Sequence, residues 1–151
     1  MGILAGIARH AERRGPMETL DTVEVSVERG IEGDCRGLLK PGSKNRRQVT
    51  VMEAGDWAAA AAEVGTALEW WNRRVNLLVD GVDLPQNAGA KVRIGEDVVL
   101  EVTVECDPCN RMDALVDGLQ EALRPDWRGG ACTRVVTGGT IRIGDQIRIE
   151  A

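Results

Sequence analysis

The segment Cys106-Asp107-Pro108-Cys109 places a thiol where a strand-like run gives way to a helix-like one. Before it, Val98, Leu100, Val102 and Val104 alternate with other residues, the period-two pattern of a half-buried strand. After it, Met112, Leu115, Val116, Leu119 and Leu123 form one apolar stripe and predict a single amphipathic helix. A cysteine ahead of such a helix feels the positive end of its dipole, and Arg111 adds a formal charge. Both favour the thiolate, the nucleophilic and metal-ligating form. Pro108 and the polar pair Asn110-Arg111 imply a loop end open to solvent, so Cys109 is the candidate reactive thiol. The competing account is that a free cysteine serves as a small buried hydrophobe.

Other chemistries find less support. Cys-x-x-Cys is half of a structural zinc site, but Cys35 and Cys132 are isolated and His10 is the sole histidine. A thioredoxin-type dithiol calls for a βαβ unit that the surrounding pattern lacks. A Cys-His pair would require His10, which stands in the polar stretch His10-Ala11-Glu12-Arg13-Arg14 and is expected on the surface.

The elements that must position Cys109 are mostly short strands. Alternating runs occupy 22–28, 48–52, 75–79, 91–94, 98–104 and 133–136, with two more in the tail, and Met1 to Ile7 suits a first strand. Only 53–65, with Trp57, Ala61 and Val64 on one face, and the segment after Cys109 read as helices. So many strands with so few helices predict a mainly β barrel or sandwich and exclude a doubly wound parallel sheet. Gly95 and Gly144 each sit between alternating runs, as in two hairpins, and Gly138-Gly139 reads as a third hairpin turn. Gly37 to Asn45 is the expected long loop.

With 151 residues, the chain is expected to form one domain over 1–151. Four cysteines and no apolar leader suit a reducing, cytoplasmic compartment, and no run approaches a membrane span. A net charge of −5 and the lack of Phe and Tyr argue against nucleic acid as a partner. Lysine occurs only at Lys40, Lys44 and Lys91, so nearly all positive charge is arginine, suited to bidentate capture of a small anion; a solvated arginine surface explains the composition equally well.

Six further pieces stand in one order along the chain: Gly30-Ile31-Glu32-Gly33-Asp34, Arg74-Val75-Asn76-Leu77 with Gly81-Val82-Asp83-Leu84, Val92-Arg93-Ile94-Gly95, Pro108-Cys109-Asn110-Arg111, Arg128-Gly129-Gly130, and Arg134 to Gly139 followed by Gly144-Asp145. Together they resemble a MOSC domain, in its small stand-alone form. The resemblance implies a closed or partly closed mixed β-barrel, of the kind found in pyruvate kinase, with a few peripheral helices. It also implies a molybdenum-cofactor-binding protein in which Cys109 carries sulfur as a persulfide or ligates molybdenum, and which could support reduction of N-hydroxylated substrates. Arg74, Arg111, Arg128 and Arg134 would hold the phosphate of the pterin, with the Gly129-Gly130 backbone close by and Asn76 and Asp34 completing the set. A sulfur-donating cysteine desulfurase or an electron-transfer protein would be the partner. Two alternatives stay open: a non-catalytic module that handles molybdopterin or another phosphate-bearing cofactor such as pyridoxal phosphate, and a structural barrel with Cys109 inert and buried. Where relatives carry a histidine or basic pair after the Gly-Asp step, this chain has Cys35-Arg36. Cys106 adds a second thiol that could resolve Cys109 as a disulfide.

Overall fold

Alternation of apolar side chains along short segments is realised as eleven strands among the described residues, 2–150 of a computed structural model. They are β1 (Gly2–Arg9), β2 (Glu18–Leu20), β3 (Thr22–Ser26), β4 (Gly30–Ile31), β5 (Val49–Glu53), β6 (Leu77–Asp80), β7 (Lys91–Ile94), β8 (Val98–Glu105), β9 (Ala131–Thr137), β10 (Gly139–Arg142) and β11 (Gln146–Glu150). Met1, expected in the first strand, lies outside the described residues. Strands β11-β7-β8-β9-β5-β6-β1 run in that order, and pairing of β1 with β11 closes them into a seven-stranded barrel. The barrel is mixed: β5 and β6 are parallel, and its other pairs are antiparallel. A smaller sheet, β10-β3-β4, lies beside it. The mainly β, closed mixed barrel expected from the strand count is therefore the fold.

Inward-facing Leu4, Val49, Val51, Leu77, Val79, Val92, Ile94, Leu100, Val102 and Ile147 fill the barrel. A second apolar layer lies outside the wall. There Met52 and Leu78 meet Trp57, Ala60 and Ala61 of helix α1 (Ala54–Val64) and Met112, Leu119 and Leu123 of the segment after Cys109. Because side chains alternate across a strand, Val49 and Val51 pointing inward force Thr50 outward, toward the segment that follows β8.

Several expectations need correcting. The stripe from Met112 to Leu123 is not one helix: α2 (Arg111–Leu115) and α3 (Leu119–Ala122) are separated by a break in which Gly118 adopts φ 87°, and Leu115 is exposed. The apolar spacing is met by two short turns on one surface, which periodicity cannot distinguish from a continuous helix. Val92–Leu100 is a hairpin, as β7 pairs with β8. Its echo around Gly144 is not, since β10 pairs with β3 while β11 pairs with β7 and β1. Gly138-Gly139 likewise makes a corner from the barrel into the small sheet rather than a hairpin turn. His10, expected on the surface, is buried at 2% exposure, because its backbone N–H donates to Asp34 Oδ1 at 3.1 Å and draws the residue under the turn after β4.

Candidate functional site

Cys109 is exposed, and the segment from Cys106 to Cys109 has no regular secondary structure, with Cys106 and Pro108 buried and Asp107 and Cys109 exposed. The two thiols of the Cys-x-x-Cys motif thus differ in exposure, Cys106 buried and Cys109 open to solvent. The dipole argument also fails on geometry, since α2 has only five residues. Cys109 instead lines a cleft of about 360 Å³ on the outer wall, together with Arg36, Arg47, Thr50, Arg73, Arg74, Cys106, Asp107 and Arg111.

Each arginine reaches the cleft from a separate piece of chain. Arg36 follows β4, and Arg47 precedes β5. Arg73 closes a 3₁₀ turn, Trp70–Arg73, whose end is capped by Arg74 in the left-handed conformation at φ 69°. Arg74 Nη2 donates to the Gly15 carbonyl at 2.7 Å, which fixes the side chain. Arg111 opens α2. Among the described residues none of these five guanidiniums lies within ion-pair distance of a carboxylate. Arg74 is held below its usual range by burial and then by the adjacent charges of Arg36 and Arg111, which outweigh the opposing pull of Asp34.

At the back of the cleft lies the buried Cys106 thiol. Arg73 Nη2 donates to the Cys106 carbonyl at 2.8 Å and reaches Cys106 Sγ at 3.5 Å, while Arg47 Nη2 lies 3.8 Å from the same sulfur. Cys132, on β9 opposite Thr50, donates its thiol to the Glu105 carbonyl at 3.9 Å. The neighbouring Cys132 thiol, with Arg73 and Arg47, outweighs burial and holds Cys106 below the usual thiol range, while Cys132 is pushed up.

The predicted residues divide between the cleft and elsewhere. Cys109, Arg74 and Arg111 are brought together. Gly129 supports them: a Cβ there would stand 2.6 Å from the Cys106 carbonyl oxygen and 3.0 Å from Arg73 Nη2, so only glycine lets that contact close. Gly130, at φ 105°, passes against the Val51 carbonyl. Asn76 is buried in the wall, where its Oδ1 accepts from the Thr50 N–H at 3.0 Å and its Nδ2 donates to Ala8 O at 3.2 Å; it fastens β5 and β1 to the start of β6. Buried Asp34 accepts backbone N–H groups from His10 and Arg36 and so orients the Arg36 turn. Arg128 and Arg134 are not in the cleft. Arg128 pairs with Glu63 and donates to Ala122 O at 3.0 Å, and Arg134 pairs with Glu101 at 2.6 Å. Arg36, Arg47, Arg73 and the lowered ionisation range of Cys106 were missed. The adjacent pairs Arg46-Arg47 and Arg73-Arg74 were the available signal, but sequence does not say which arginine of each pair turns inward.

A family model, that of the MOSC domain, matches residues 39–148, which span Arg47, Arg73, Arg74, Cys106, Cys109 and Arg111. The chain belongs to the MOSC domain family. The family is one generally related to the molybdenum cofactor. In fold this MOSC chain is similar to the crystal structure of the YuaD protein from Bacillus subtilis, with a TM-score of 0.79 at 20% identity over 100% of this chain and 97% of that one. It is also similar to YiiM from Escherichia coli, with a TM-score of 0.70 at 15% identity over 99% and 70% of the two chains. For YiiM from Geobacillus stearothermophilus the TM-score is 0.65 at 14% identity over 99% and 73%. At such identities the likeness is one of fold. No curated protein matches the chain. No helix among the described residues is long and apolar enough to cross a membrane.

Proposed function

We propose that the arginine cleft binds the molybdenum cofactor through its phosphate and that Cys109 presents the thiol that ligates molybdenum or carries sulfur for it. One observation carries this reading: five arginines without carboxylate partners converge beside an exposed cysteine. Arg73 is buried and Arg74 half-buried, and crowding like charges costs free energy unless an anion arrives to share their donors. Arg74 and Arg111, near the mouth, suit bidentate bonds to a phosphate, and Arg73 supports the Cys106 backbone from which the Cys109 loop departs. A thiolate is a soft ligand suited to molybdenum. When bound, the cofactor supplies the redox chemistry by which N-hydroxylated compounds could be reduced; the protein supplies charge, orientation and the thiol. A cysteine desulfurase or an electron-transfer protein would then have to meet the exposed Cys109 side of the cleft. Pyridoxal phosphate fits less well, because no lysine lines the cleft to form an imine.

Molybdenum and pterin content tests the reading, compared between wild-type protein and Cys109→Ser after expression in a host that makes the cofactor. Pterin in both proteins with metal or sulfane sulfur depleted in the variant is expected. Equal metal and sulfur in both would remove Cys109 from its role, and pterin in neither would remove the cofactor.

A further inference from the structure

Arg36 and Arg47 line more than the cleft. The same two residues also line a second groove of about 650 Å³, together with Arg13, Lys40 and Arg46. No carboxylate lines this groove, and among the described residues Arg13, Lys40 and Arg46 form no ion pair. From Cys35 to Gln48 the chain carries Arg36, Lys40, Lys44, Arg46 and Arg47 and no acid, against a net charge of −5 for the whole. The backbone that bears these cations is held in place. Lys40 N–H donates to Asn45 Oδ1 at 3.3 Å and Asn45 N–H to Ser43 Oγ at 3.1 Å, which closes the turn on itself. Buried Gln48 donates from Nε2 to the Val27 carbonyl at 2.7 Å and the Gly37 carbonyl at 3.0 Å, and Thr103 Oγ1 donates to the Arg46 carbonyl.

We propose that cleft and groove form one continuous site for a diphosphate ester, with one phosphate at Arg74 and Arg111 and the second in the groove among Arg36, Arg47, Lys40 and Arg46. The proposal rests on the reading that the cleft takes the cofactor's phosphate, and it changes the ligand class. A monoester gathers its oxygens on one phosphorus and satisfies the donors of one arginine pair, so it leaves the adjoining groove empty of anion. A diphosphate spreads acceptor oxygens along the path from cleft to groove, where each phosphate meets its own guanidiniums. The cofactor form that fits is therefore one whose pterin phosphate is joined through a second phosphate to a nucleoside. Leu38, which lines the groove and is 58% exposed, offers apolar surface to that nucleoside. The groove has the volume of a small-molecule site. Neither cavity is lined by an aromatic side chain, so a single-stranded nucleic acid would find no stacking platform.

The test titrates inorganic phosphate and inorganic pyrophosphate, at one ionic strength, into the whole chain and into Lys40→Ala/Arg46→Ala, two exposed residues that line the groove but not the cleft. Wild-type protein should bind pyrophosphate about 100-fold more tightly than phosphate, through two further charge-assisted contacts. In the variant that preference should fall below about ten-fold, with phosphate bound as before. Equal affinity for the two ions in wild type would overturn the proposal, as would a preference that survives in the variant. The mass of the pterin released from protein isolated from its native cells separates the sources of the diphosphate. Two phosphates and a nucleoside on the pterin are expected, whereas a pterin with one phosphate, accompanied by a free nucleoside diphosphate or alone, would overturn the assignment. Absence of any pterin would count against the cofactor reading instead, and the two-ion titration would still decide the diphosphate site.

Discussion

Two sets of arginines in this protein live in contrasting surroundings. On the outer strands and the helical layer, Arg9, Arg93, Arg124, Arg128 and Arg134 each meet a carboxylate. In the cleft, Arg36, Arg47, Arg73, Arg74 and Arg111 do not, although the chain as a whole carries a net charge of −5. Acidic residues are thus abundant, yet among the described residues Asp107, which lines the cleft, forms no ion pair with these arginines. Paired arginines complete the surface, whereas those gathered in the cleft hold binding capacity in reserve, and the fold sets the Cys106 sulfur among them.

The contrast can be tested by removing an arginine of each kind. The largest effect is expected for Arg73→Ala, which strips the Cys106 carbonyl of its donor and leaves the buried Cys106 sulfur facing a gap. Breaking a buried pair in this way costs about 3–5 kcal/mol, read as a lower thermal midpoint and a Cys106 thiol that ionises at higher pH.

A reversed case lies around Glu53, where carboxylates rather than arginines crowd. Glu53 accepts the Leu84 N–H at 3.1 Å, and burial, with Asp56 and Asp83 nearby, raises it to about 7. Between the ordinary carboxylate range and pH 7 the folded chain holds a proton there that the unfolded chain has released. Stability should therefore fall as pH rises through that window. Glu53→Gln should flatten this part of a stability–pH profile, and an unchanged slope would show that Glu53 does not cause it. Smallest of all is the expected effect of Arg134→Ala. Its bond to Glu101 is half-exposed, and its loss should cost at most about 1 kcal/mol in chemical denaturation.

Much of the barrel was legible because period-two alternation is a local property. The run 91–94 coincides with β7, and 98–104 with all but the last residue of β8. Strand partners were not legible. Gly95 and Gly144 carry the same turn chemistry, yet one joins paired strands and the other sends the chain from one sheet to another. Within the site, Cys109, Arg74 and Arg111 came from two short motifs, Pro108-Cys109-Asn110-Arg111 and Arg74-Val75-Asn76-Leu77. Arg128 and Arg134 shared their residue type but not their surroundings, because Glu63 and Glu101, distant in sequence, reach them first. His10 and Cys132 show the same limit: burial of a polar or sulfur side chain depends on long-range partners such as Asp34 and Cys106.

The central claim is that unpaired arginines make the anion site. The most direct measurement is calorimetric titration of a phosphate monoester into wild-type protein, the double variant Arg74→Ala/Arg111→Ala, and the double variant Arg128→Ala/Arg134→Ala. Two lost charge-assisted contacts should weaken binding about 100-fold in the first variant, while the second binds as wild type does. Equal weakening in both, or none in either, would contradict the account.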